Sequence, residues 1–92
     1  MGLTQDKALG DYYGVRIEVE ANGGLTSCTY RLIIDNEKHD EIRGYIGEHT
    51  LRGKLTKDGT ALPVQVVIKQ GWFGTKYKLL VDGREHPLQK TK

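Results

Sequence analysis

A ten-residue segment occurs twice in this chain and limits what the rest of it can become. Tyr30-Arg31-Leu32-Ile33-Ile34-Asp35-Asn36-Glu37-Lys38-His39 recurs as Tyr77-Lys78-Leu79-Leu80-Val81-Asp82-Gly83-Arg84-Glu85-His86, a displacement of 77 − 30 = 47 residues. Each copy reads as an aliphatic strand, a tight turn and a return, because Asp next to Asn or Gly tolerates the positive φ that short turns require. Carried backwards, the same displacement sets Ile17 on Val64, Val19 on Val66 and Gly24 on Gly71. Two hairpins of one design result. Two copies are too few for a solenoid, which needs about three repeats to bury its faces. The repeat therefore predicts an all-β fold, a small antiparallel sandwich or partly closed barrel with about six to seven strands, whose hairpins supply equivalent halves of one core.

Alternation of apolar and polar residues locates the strands. In 15–21, Val15, Ile17, Val19 and Ala21 share one face and Arg16, Glu18 and Glu20 the other. Residues 28–35 turn Tyr30, Leu32 and Ile34 inward, residues 62–69 do so with Val64, Val66 and Ile68, and residues 76–82 with Tyr77, Leu79 and Val81. The stretches 41–47 and 50–56 are more polar, and Gly44, Gly47 and Gly53 within them point to bent or bulged strands. Asp58-Gly59 is a hairpin turn, and 84–89 reads as a short last strand. Tyr12 and Tyr13 either start a strand or pack across one end of the core. Only Leu3, Ala8 and Leu9 are apolar in 1–10, so that segment reads as a flexible lead-in to a single domain over 11–89, with 90–92 as a flexible tail. The connections are too short to hold crossover helices, so the pairing is antiparallel.

The 14 Lys and Arg nearly balance the 12 Asp and Glu, and a net charge of +2 does not by itself demand a nucleic-acid or membrane partner. A single cysteine, Cys28, excludes an internal disulfide, and its place before an apolar strand suits a small buried hydrophobe. No apolar run approaches the ~20 residues of a membrane span, and the N-terminus lacks the apolar core of a secretion signal. The expected compartment is the cytoplasm.

Four groups of residues are candidates for function. Ile33, its repeat equivalent Leu80, and Val67 point away from the expected core and would form an apolar patch if brought together, unless a second layer covers them. Trp72 and Phe73 stand in a turn between Gly71 and Gly74, where aromatic side chains either bind a partner or fold back on the core. Lys69, Lys76 and Lys78 flank that turn, and Arg31 occupies the position equivalent to Lys78; with Trp72 they would offer single-stranded nucleic acid both charge and a stacking ring. His39 and His86 are repeat equivalents and His39-Asp40-Glu41 is a compact ligand run, but the spacing matches no zinc motif and reads as solvated turn. Asp35 and Asp82 read as turn formers. No nucleophile, phosphate loop or cofactor motif is present, so the sequence supports no enzyme and no cofactor.

The two copies with their next residues, Tyr30 to Glu41 and Tyr77 to Leu88, resemble strand-turn units of the Fas apoptotic inhibitory molecule family. The run Asp40-Glu41-Ile42-Arg43 is similar to the continuation of that family's motif. The resemblance covers the two hairpins and the start of the polar middle. It implies an all-β module without recognised catalytic residues that acts through contacts with other proteins. The expected function is thus a non-enzymatic protein-interaction module, with a small β-barrel binding single-stranded nucleic acid as the alternative. A membrane partner is not expected, and sheet faces or edges of such a fold also offer routes to self-association.

Overall fold

Period-two alternation gives each strand one apolar face, and two sheets bury those faces against each other. The computed structural model describes residues 4–23, 27–44, 47–71 and 74–91. Its strands are β1 (Thr4–Tyr12), β2 (Val15–Gly23), β3 (Cys28–Ile34), β4 (Glu37–Gly44), β5 (Gly47–Lys57), β6 (Thr60–Gly71), β7 (Gly74–Val81), β8 (Arg84–His86) and β9 (Gln89–Thr91). A first sheet runs β4-β3-β2-β1-β9 and a second runs β5-β6-β7-β8, with antiparallel pairing throughout. This is the all-β sandwich expected, with more strands than the alternation suggested. The core is one cluster drawn from both sheets, including Ile17, Val19, Tyr30, Leu32, Leu51, Leu55, Val64, Val66, Ile68, Leu79 and Val81. Cys28 is a free thiol buried in it. No helix among the described residues is long and apolar enough to cross a membrane.

Two segments differ from expectation. Residues 4–10, read as a lead-in, lie inside β1, which pairs with β2 from Thr4↔Gly23 to Tyr12↔Val15 and places Ala8 in the core. The alternation there is carried by small residues, Ala8 and Gly10, which signal burial weakly. The expected last strand is broken at Pro87, which has no amide to donate. Arg84–His86 stays in the second sheet, while Gln89–Thr91, which takes in most of the expected tail, pairs with β1 in the first.

Among the described residues, four two-residue turns join β1 to β2, β3 to β4, β5 to β6 and β7 to β8. Tyr13-Gly14, Asp35-Asn36, Asp58-Gly59 and Asp82-Gly83 all hold positive φ at both positions, between 47° and 89°. That is the type I′ geometry whose twist matches the strands it joins. Asp35 and Asp82 are the turn formers that the repeat suggested.

The repeat itself extends further than its sequence. The Asp35 amide donates to the Arg16 carbonyl and the Asp82 amide to the Pro63 carbonyl, both at 2.8 Å, and both members of each pair are related by the same 47-residue step. Within the strands, Gly10 pairs with Ile17 and Gly53 with Val64, the repeat equivalent of Ile17. A Cβ on Gly10 would lie 3.3 Å from Leu79 Cδ2, and one on Gly53 would lie 3.2 Å from Leu32 Cδ2. Leu32 and Leu79 are themselves equivalents, so each sheet presses a glycine against the same leucine of the other. The molecule is a pseudo-two-fold pair of four-strand meanders, β1–β4 and β5–β8, with β9 added to one.

Contacts between the two sheets occur at both long sides of the sandwich. On one, β4 and β5 meet edge to edge. A register shift between Leu32 and Ile33 leaves His39 as the extra residue of a bulge in β4, and the Lys54 amide donates to its Nδ1 at 3.5 Å. The Arg52 amide donates to Asp40 Oδ2 at 2.8 Å. On the other side, the crossover from β8 to β9 lays Leu88 over Gly10, where an added Cβ would lie 2.9 Å from Leu88 Cδ2.

Candidate interaction face

Alternation fixes which side chains leave the core, so the registers determine the outer faces. On the second sheet β6 presents Gln65, Val67 and Lys69 outward, and β7 presents Leu80, Lys78 and Lys76 directly opposite them. Lys69 therefore stands across from Lys76, and Val67 from Lys78. A groove of about 260 Å³ runs here, lined by Val67, Lys69, Lys76, Tyr77, Lys78 and Glu85. Lys69 reaches Glu48 at 3.8 Å with both side chains exposed, a pairing that adds little. Among the described residues Lys76 and Lys78 have no ion pair.

The outer face of the first sheet is different. Lys7 pairs with Glu20 at 3.8 Å, Arg16 with Glu18 at 3.0 Å, and Glu41 takes both Arg31 at 2.9 Å and Lys38 at 3.1 Å. The Arg31 guanidinium first, then the Lys38 ammonium, holds the Glu41 carboxyl below the usual carboxylate range. Charge on this face is compensated, whereas the groove on the other gathers cations.

The structure regroups the residues expected from sequence. Val67 and Leu80 share the outer face of the second sheet, but Ile33 lies on the outer face of the first, between Glu18 and Lys38. The three do not form one apolar patch, because repeat equivalents in a two-fold sandwich face opposite directions. For the same reason Arg31 is not beside Lys69, Lys76 and Lys78, and it is held by Glu41 instead. Trp72 and Phe73 lie outside the described residues. His39 and His86 are not brought together: His39 bridges to β5, while His86 on β8, at the far edge of that sheet, meets the Tyr12 ring edge-on at 4.9 Å. No cluster of three His, Cys, Asp or Glu groups suited to a metal occurs among the described residues.

Two features had weak sequence signals. Tyr13 occupies a turn at φ 47° and is 71% exposed, and its carbonyl accepts a hydrogen bond from Lys57 Nζ at 2.8 Å. Inside the sandwich, the Tyr30 hydroxyl is buried beside the Cys28 thiol and Tyr77, with the His49 ring tilted against the Tyr30 ring at 5.3 Å. Burial above all, then the thiol, pushes the Tyr30 phenol up from its ordinary value. Gly44 makes room for His49, since a Cβ there would collide with that ring. Compared with known proteins, the chain finds no matching family model, no matching curated protein and no matching solved structure.

Proposed function

We propose that this protein is a non-enzymatic protein-interaction module that takes an acidic partner on the outer face of its second sheet. One observation carries the reading: Lys69 and Lys76 stand directly opposite each other, with Lys78 next along β7. Like charges in directly opposed positions destabilise a sheet by a few tenths of a kcal/mol, roughly 0.2–1. A purely structural face has no reason to accept that, and the opposite face of this molecule avoids it with paired charges. Val67 and Leu80 supply apolar contact within the same face, and Trp72 and Phe73 come directly after β6 in sequence and extend the partner-binding set. The resemblance to the Fas apoptotic inhibitory molecule family supports the same class of activity.

Affinity capture from cell extract, with and without nuclease, tests the proposal. Wild-type protein retains partner proteins after nuclease, and Lys69→Gln with Lys76→Gln, which removes the opposed charges, loses them while melting at the same temperature or higher. Trp72→Ala loses the same partners with little change in the melt. Capture that disappears with nuclease supports the second reading instead, a β-sandwich binding single-stranded nucleic acid through Lys69, Lys76 and Lys78, which their common face favours. Capture unchanged by the double substitution sinks both.

A further inference from the structure

Type I′ turns favour small polar residues or glycine at both left-handed positions, and one of the four turns described above departs from that. All four lie at one end of the sandwich. Antiparallel meanders bring the turns of each sheet to the same end, and two contacts join the sets: Lys57 Nζ with the Tyr13 carbonyl, and the Tyr12 ring with His86. Three of the turns begin with aspartate, Asp35, Asp58 and Asp82. The fourth begins with Tyr13, whose counterpart at the tip of the equivalent β5–β6 hairpin is Asp58. A tyrosine at φ 47° is strained, and burial does not compensate, since the residue is 71% exposed. Strained residues of this kind gather at sites that hold a ligand. We propose that this end of the sandwich is a second docking site, which takes an arginine side chain of a partner protein against the Tyr13 ring. It goes beyond the lysine face, being a separate surface with the opposite charge preference.

The ring is fixed from one side and open on the rest. Tyr12 packs against the core and meets His86 at 4.9 Å, and the Tyr13 ring meets Tyr12 at 4.7 Å with the two planes 85° apart. The face of a phenol ring attracts a cation, and arginine is the more frequent partner because its flat guanidinium stacks. The surrounding charge agrees. Asp11 accepts the Gly14 amide at 3.3 Å, which brings its carboxylate to the same turn, and Asp35, Asp58 and Asp82 are exposed at the sister turns. Of the cations at this end, Lys57 is held by the Tyr13 carbonyl at 2.8 Å and Arg16 by Glu18 at 3.0 Å. Carboxylates beside the ring give the guanidinium fork its hydrogen-bond acceptors.

Other occupants fit less well. Nucleic acid would be repelled by the aspartates. A proline-rich segment could use the ring but leaves the carboxylates without a counterpart. A second copy offering Lys69 and Lys76 would join unlike surfaces head to tail, a contact that propagates unless its rotation closes a ring, and lysine lacks the planar group that stacks.

The test uses the full chain, labelled with nitrogen-15 and carbon-13, and a capped heptapeptide of sequence Gly-Ser-Arg-Gly-Arg-Ser-Gly. The expected result is saturable shifts of the Tyr13 ring and of the amides within residues 11–14 at millimolar peptide. Citrulline in place of both arginines keeps the planar shape, loses the charge and weakens binding about fivefold. Tyr13→Asn, which suits the turn and melts no lower than wild type, weakens it about as much, and Tyr13→Phe, which keeps a ring, binds like wild type. Equal binding of the citrulline peptide, unchanged binding by Tyr13→Asn, loss of binding in Tyr13→Phe or absence of any shift overturns the inference. The lysine face stands or falls separately, because Lys69→Gln with Lys76→Gln leaves arginine binding unchanged.

Discussion

The Asp40 carboxylate accepts the Arg52 amide at 2.8 Å, tying the edges of two sheets that share no strand. It replaces the ladder partner that an edge strand lacks, and a charged acceptor makes the stronger kind of hydrogen bond. Asp40→Ala is expected to destabilise the protein by about 1–2 kcal/mol, and Asp40→Asn, which keeps an acceptor, by less. Urea unfolding of the two variants checks this, and equal losses would show that the contact is incidental.

Gly53 and Gly10 occupy equivalent places but should not tolerate alanine equally. An added Cβ at Gly53 comes within 2.9 Å of the His39 Cβ, an atom fixed to the β4 backbone. At Gly10 the nearest atom is the far end of the Leu88 side chain, which can move. Gly53→Ala is expected to cost about 1–3 kcal/mol and Gly10→Ala clearly less. Thermal melts of both variants decide it.

Tyr13 holds a left-handed conformation that suits Asn, Asp or Gly and strains a tyrosine. Tyr13→Asn is expected to raise stability by about 1 kcal/mol. Since this ring is also highly exposed, a stabilised variant that loses partner capture would mark Tyr13 as a binding residue kept at the expense of the turn.

Tyr30 gives the fold an alkaline limit. Its folded phenol holds its proton above the ordinary tyrosine value, so above about pH 10 the unfolded chain releases a proton that the folded one keeps. The contribution is fully present below that pH and is lost as pH rises through the folded value. Melting temperature should fall as pH passes 10 in the wild type and fall less steeply in Tyr30→Phe. Identical profiles would remove Tyr30 as the cause.

The inner faces were legible because aliphatic residues at every second position, as in Ile17, Val19 and Ala21, leave one choice of register. β1 was hidden for a different reason. The β5–β6 hairpin is two residue pairs longer than β1–β2, so the displacement that is 47 for Ile17 and Val64 becomes 53 − 10 = 43 for Gly10 and Gly53. A fixed-step comparison loses the repeat there. The candidate face was half legible: Lys69, Lys76, Lys78, Val67 and Leu80 do share it, yet Ile33 and Arg31 were joined to them by sequence equivalence. In a two-fold sandwich equivalence means the opposite outer surface. The shortness of β8 had no signal of its own, because it depends on where the chain goes after Pro87.

Pro87 also decides how the two halves are held. By sending the last strand to β1, it breaks the two-fold relation at one position and carries the end of the second meander onto the first strand of the first. The halves are thereby joined by strand pairing as well as by a shared core, and loss of the β1–β9 pairing would loosen both at once.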